Sequence, residues 1–197
     1  MPNTQQSKPA FCIHAHFYQP PREDPLTGSI PIEPGATPFN NWNERINDQC
    51  YRPNAELGNF SRISFDLGPT LAMWLEKNDS LTYTRIIDQA RQVYEQDGIS
   101  NAMAQAFNHT ILPLASKQEK QTQIRWGIKD YVHRFGWAPQ GMWLPETAAD
   151  LETLELLVEN GIQFTILAPW QAEGPIDPSE PYLVRLPNGR QMNVFFY

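Results

Sequence analysis

The chain has 197 residues, 41% of them apolar, with 18 prolines and a net charge of −7. That length bounds it at about one to one and a half domains, with room for a sizeable core. An acidic balance without a basic block argues against nucleic acid as a partner, and no apolar run reaches membrane-spanning length.

The two cysteines, Cys12 and Cys50, form no disulfide framework or metal-ligand spacing. Residues 1–9 are polar and lack the apolar core of a secretion signal. We expect them to be a disordered tail on a cytoplasmic protein.

Residues 11–17 form a short apolar run interrupted by His14 and His16, a first strand in which Cys12 is expected to be buried. Side chains two apart on a strand point to one side, so the two imidazoles face the same way. Residues 20–60 are rich in Pro, Asn and Gly and show no clear period, which predicts a long loop of the kind that often carries function, bearing Phe39, Trp42 and Tyr51. A short helix is expected within residues 41–49.

Residues 62–67 read as a second strand, broken at Gly68-Pro69, with Leu71, Trp74 and Leu75 beginning a helix. Ser80 is placed to cap the next helix and Gly98 to close it. Residues 101–107 read as a third strand leading to His109. A capping box at Ser116 and Glu119 opens the clearest amphipathic helix, with Ile124, Ile128, Tyr131, Val132 and Phe135 on its apolar side and Gly136 at its end.

The fourth strand is the run Met142 to Leu144, which Pro145 stops. Glu146 follows at once. Thr147 and Asp150 then make a capping pattern ahead of Leu151, Leu154 and Val158. Residues 162–168 read as a fifth strand ending at Pro169-Trp170. Residues 182–186 and 191–197 flank Pro187-Asn188-Gly189-Arg190, a strong hairpin signal.

Strands alternating with helices predict a mainly parallel α/β sheet or barrel. Right-handed crossovers then put every strand C-terminus on one rim, gathering His14, His16, His109, Glu146 and Trp170. Two chemistries fit that rim. Glycoside hydrolysis needs a carboxylate pair, with histidines and aromatic rings holding the sugar. Glu146 supplies one carboxylate, and no second one stands at an equivalent position: Asp66 lies in an apolar run and Asp150 reads as a cap. Alternatively, His14-x-His16 with His109 and Glu146 offers ligands for a metal-dependent hydrolase such as a deacetylase. A non-catalytic carbohydrate-binding barrel is a third reading.

The motifs His14-Ala15-His16-Phe17-Tyr18-Gln19-Pro20, Asn108-His109-Thr110-Ile111-Leu112-Pro113-Leu114 and Trp143-Leu144-Pro145-Glu146, with Phe164 to Trp170, occur in the order and spacing of glycoside hydrolase family 57, which this chain resembles. The proline-rich segment after the first strand is similar to that of an uncharacterised subgroup bearing a further domain of unknown function. The resemblance implies an incomplete (β/α)7 barrel that acts on α-linked glucans, oligosaccharide or polysaccharide, as a glycoside hydrolase or glucan transferase by a retaining mechanism, without a cofactor or metal. Glu146 matches the nucleophile, and His14, His16 and His109 match histidines that line the sugar subsite. Trp143, Gln19 and Trp170 are carried over as substrate-binding residues. No residue matches the family's acid/base aspartate, which comes later in the chain. Residues 10–197 are therefore expected to be the N-terminal part of a catalytic barrel, truncated at the C-terminus, inactive alone and completed by the remainder of a parent chain.

Overall fold

Strands and helices alternate through residues 10–197, the part of the chain described by this computed structural model. The tail expected over residues 1–9 lies outside the described residues. Strands β1 (His14–Phe17), β2 (Ser64–Leu67), β3 (Ala102–Gln105) and β4 (Met142–Trp143) lie side by side in chain order, all parallel. A single parallel bridge from Gly141 to Phe164 carries the wall on to β5 (Phe164–Leu167). There the Thr165 hydroxyl donates to the Met142 carbonyl at 2.8 Å. Beyond β5, the strands β6 (Tyr182–Arg185) and β7 (Gln191–Phe196) form the expected antiparallel hairpin, with β7 parallel to β5. The whole is an open α/β wall, part of a barrel.

The registers explain why one face of this wall is apolar and the other polar. Side chains alternate along a strand, and His14 pairs with Ser64 and His16 with Asp66 across β1 and β2. Those four share the inner face. Phe17, Phe65 and Leu67 point outward into the core with Leu71, Leu75, Ile86, Ile124, Tyr131 and Phe135. Strands covered by helices on both faces read as continuous apolar runs; the alternation here marks an inner face that is not simply packed with hydrocarbon.

The outer layer is built from α3 (Pro69–Asn78), α4 (Ser80–Asp97), α5 (Lys117–Phe135) and α6 (Leu151–Glu159). The Ser116–Glu119 capping box of α5 is formed, and Gly98 and Gly136 close α4 and α5 in the left-handed conformation. Two caps differ from expectation. Asp79, not Ser80, caps α4, its carboxylate accepting from the Thr82 amide at 3.1 Å. Asp150 alone caps α6, accepting from the Thr153 amide at 2.8 Å. Thr147 plays no part, because the backbone turns left-handed at Glu146 and Thr147 before the helix starts.

Three further expectations are corrected. The first strand begins at His14, and Cys12 is exposed, as are Phe11 and Ile13. The reason is positional: among the described residues β1 lies at the edge of the wall and its one strand neighbour starts at Ser64. Val132 and Leu151 lie on the solvent side of their helices. Finally, the short helix expected within residues 41–49 is present as α1 (Trp42–Ile46), but the segment expected to be loop beyond it continues as a π-type turn Asn47–Tyr51 and α2 (Arg52–Glu56). The wider turn ends two residues before Pro53, which has no N–H to donate; here the Arg52 amide reaches back five residues to the Asn47 carbonyl.

Close packing of α5 on the wall depends on Gly127. A Cβ at this position would overlap the carbonyl oxygen of Gln105, at the end of β3. Gln105 in turn reaches the polar inner face, so the helix contact and the site share a residue.

Candidate active site

Asp66 is the centre of the inner face. It has no solvent exposure, and its carboxylate is reached from three sides. His14 Nε2 lies 3.2 Å from Oδ1, and His16 Nδ1 2.8 Å from Oδ2. The Gln105 amide nitrogen donates to Oδ2 at 2.6 Å. His14 also contacts the Ser64 hydroxyl through Nδ1 at 2.9 Å. His16 Nε2 stands 3.1 Å from His109 Nε2. The two histidines of the HxH motif thus face one side, as strand geometry requires, and all four of their ring nitrogens have a partner.

Aromatic rings pack this cluster. Trp143 stacks on His14 at 5.0 Å and on His16 at 5.1 Å between ring centroids. It is delivered there because it pairs with Gln105 across β3 and β4. Its indole N–H is buried without a partner, as is the Gln105 amide oxygen. Tyr18, just past β1, stacks on His109 at 3.7 Å. Gly68 permits this approach: a Cβ there would lie 2.6 Å from the Gln105 amide oxygen and 2.9 Å from the Tyr18 ring.

Glu146 projects from the turn after β4 and is exposed. Its backbone is left-handed, φ 55 and ψ 21. Among the described residues, the non-glycine positions with positive φ are His109, Glu146 and Thr147, all in loops that follow strand C-termini. Such conformations cost about 1–3 kcal/mol each and concentrate at functional sites; a β-branched threonine there is an outlier. The turn is held by the Thr147 amide donating to Leu144 and by the Gln171 side chain donating to the Thr147 carbonyl, both at 2.8 Å. Gln171 ties the turn to the loop after β5.

The charges communicate. Burial holds the His109 imidazole below the ordinary histidine value and the neighbouring His16 adds to that, while the Glu146 and Asp66 carboxylates pull the other way. Burial raises the Tyr18 phenol, Arg22 lowers it and Glu146 raises it. Glu146 therefore acts electrostatically on both rings of the Tyr18–His109 stack.

His14, His16, His109 and Trp143 are in direct contact in the structure, with Glu146 coupled to His109 through charge. Gln19 and Trp170 are not part of this contact. Gln19 is buried below the rim, donating to the Tyr51 hydroxyl and accepting from Arg22, both at 3.0 Å. Trp170 is exposed on the loop after β5, edge-on to Tyr197. Sequence reasoning passed over Ser64, Asp66 and Gln105. The available signal was the polar alternation Ser64-Phe65-Asp66-Leu67, which an apolar reading of the run concealed. As to a metal, no group of three or more His, Cys, Asp or Glu side chains is disposed to hold one among the described residues.

A parallel wall with polar side chains gathered at the C-terminal ends of its strands is the arrangement of a partial α/β barrel. The family model for glycosyl hydrolase family 57 matches residues 36–197. The chain belongs to that family. It is 27% identical over 130 residues to alpha-amylase 1 of Dictyoglomus thermophilum, a match covering 63% of this chain and 18% of that protein. It is 27% identical over 128 residues to the 4-alpha-glucanotransferase of Thermococcus litoralis, again 63% of this chain and 18% of that protein. The crystal structure of the latter superposes with a TM-score of 0.70 at 20% identity, over 94% of this chain and 27% of that one. A putative polysaccharide deacetylase from Mycobacterium smegmatis shares the fold more distantly, with a TM-score of 0.52 at 15% identity over 76% of this chain and 48% of that one. The matched segment thus spans less than a fifth of the length of each of these curated relatives.

Proposed function

We propose that this chain is the N-terminal part of a catalytic barrel that cleaves or transfers α-linked glucans with retention, and that Glu146 is its nucleophile. The observation that carries this reading is the left-handed Glu146, an exposed carboxylate held at the end of a barrel strand in the same rim as His16 and His109. The carboxylate would attack the anomeric carbon as the glycosidic oxygen departs with a proton from a carboxylic acid. The glycosyl ester would then pass to water or to another sugar hydroxyl. Tyr18 and Trp143 supply ring faces for the sugar. His109 supplies a polar edge.

The proton donor is assigned to a carboxyl outside residues 10–197. Asp66 is unsuited to the role, being wholly buried beneath two imidazoles and an amide. The metal-hydrolase alternative is less well supported, because both nitrogens of His14 and of His16 are already directed at protein groups. Gln19 and Trp170 remain proposed sugar contacts only if the remainder of a parent chain brings substrate across them.

In a full-length parent, Glu146→Gln should lower turnover on maltooligosaccharides by about 10⁴-fold and leave their binding, measured by calorimetry, largely intact. Retained activity would refute the assignment. Stoichiometric zinc in protein purified without added metal, lost on His14→Ala, would favour the alternative.

A further inference from the structure

We infer that Asp66 is a positioning residue that fixes the tautomers of His14 and His16 and, through His16, the direction of the hydrogen bond to His109. The argument is one of donors and acceptors. A carboxylate oxygen can only accept, so every nitrogen held against Asp66 must bring a proton. His14 Nε2, at 3.2 Å from Oδ1, is therefore its N–H nitrogen, which leaves Nδ1 to accept from the Ser64 hydroxyl at 2.9 Å.

His16 has two candidate partners at Nδ1: Asp66 Oδ2 at 2.8 Å and the Gln105 amide nitrogen at 3.3 Å. Were Nδ1 unprotonated and accepting from Gln105, its lone pair would face a carboxylate oxygen at the shorter distance. The Gln105 amide has its own acceptor, Asp66 Oδ2 at 2.6 Å. His16 is therefore the Nδ1–H tautomer. In the neutral ring Nε2 then accepts, and His109 Nε2, 3.1 Å away, donates. A buried carboxylate thus sets neighbouring histidines in opposite tautomers and passes a fixed polarity to the third, at the rim.

Zero exposure makes Asp66 an organiser and not a sugar ligand: it reaches substrate through the imidazoles. The consequence for sugar binding rests on the proposed function; the tautomer assignment does not. A hydroxyl meeting His109 meets a ring whose Nε2 proton is already committed.

The test uses the 197-residue chain with ¹⁵N-labelled histidine. Long-range ¹H–¹⁵N spectra report which ring nitrogen carries the proton, and single His→Gln variants assign the four histidines. Wild-type protein should show His14 as Nε2–H and His16 as Nδ1–H near neutral pH. His16 protonated on Nε2 alone would overturn the inference without any bearing on Glu146. In Asp66→Asn the new amide can accept from only one of the two rings, so at least one tautomer should switch. If both persist in folded Asp66→Asn protein, Asp66 is not what fixes them. Ser64→Ala removes the other His14 partner and should leave the His14 tautomer unchanged; a switch there would give the role to Ser64 instead. Should Asp66→Asn fail to fold, the wild-type and Ser64→Ala spectra still decide. Once glucan binding is established, folded Asp66→Asn should bind maltooligosaccharides about tenfold more weakly, the effect of one misdirected hydrogen bond.

Discussion

Replacing Gly127 by alanine sets two well-defined forces against each other. Gly127 lies in the interior of α5, where helix propensity alone favours alanine by about 1 kcal/mol. The structure implies the opposite outcome. The added Cβ would overlap the Gln105 carbonyl oxygen, stand 3.0 Å from its carbonyl carbon and 3.4 Å from the Phe107 nitrogen. These are backbone atoms at the end of β3, and no rotamer change moves them aside. Either α5 retreats from the wall, loosening Ile124 and Tyr131, or β3 yields. Overpacking of this kind costs about 1–3 kcal/mol, and the upper end applies when backbone must move. The net expectation is destabilisation of about 1–2 kcal/mol. With a urea m-value of about 2 kcal/mol/M, the unfolding midpoint of Gly127→Ala should fall by roughly 0.5–1 M. Because the Gln105 side chain holds Asp66, the His16 ring resonances should shift as well. A midpoint that rises with m unchanged would mean that α5 does not pack on β3 in this way, and the route from helix to site would fail with it.

Glu146→Gln in the isolated chain should lower the His109 pKa further, since Glu146 is one of the charges holding it up; an unchanged NMR titration would separate the two residues. The same low value predicts a stability change. Below the ordinary histidine value of about 6.5 the unfolded state takes up this proton more readily than the folded one, so the His109 contribution falls as pH drops through that range. Gly68→Ala meets side chains rather than backbone, and should cost less stability than Gly127→Ala while breaking the Tyr18–His109 stack, read as a change in the His109 ring signals. Asp79→Ala removes the α4 cap and should cost about 0.5–2 kcal/mol. Burial raises the Asp79 pKa, but bonds from Asn47, Thr82 and Arg52 together outweigh it and hold the value low. Its stabilisation is therefore present above the ordinary aspartate value and lost as pH falls through the folded one, so urea curves of variant and wild type should converge in acid.

Much of the architecture could be read from local pattern. The capping box at Ser116 and Glu119, the closing glycines Gly98 and Gly136 and the Asn188-Gly189 hairpin all formed where near-neighbour chemistry puts them. Local pattern failed where a distant contact competes. Thr147 has a good capping residue's side chain, yet it lies in a strained turn tied down by Gln171. Cys12 belongs to an apolar run, yet it precedes the edge strand and is exposed among the described residues. Of the helical run from Trp42 to Glu56 only the first turns, within residues 41–49, could be read from the sequence; the continuation is polar and interrupted by Pro53, and its stability comes from burying Tyr51 and Ala55 against the core.

The amino-acid order was sufficient to specify strand–helix alternation, the shared face of His14 and His16, and a carboxylate at the end of the fourth strand, because each depends on residues within a turn or a pleat of one another. Only the tertiary structure decided that Asp66 sits beneath both imidazoles and that Trp143 stacks over them. Those meetings join residues about fifty to 130 positions apart through the register of successive strands, and they depend on how closely α5 can approach the wall; no local periodicity carries either.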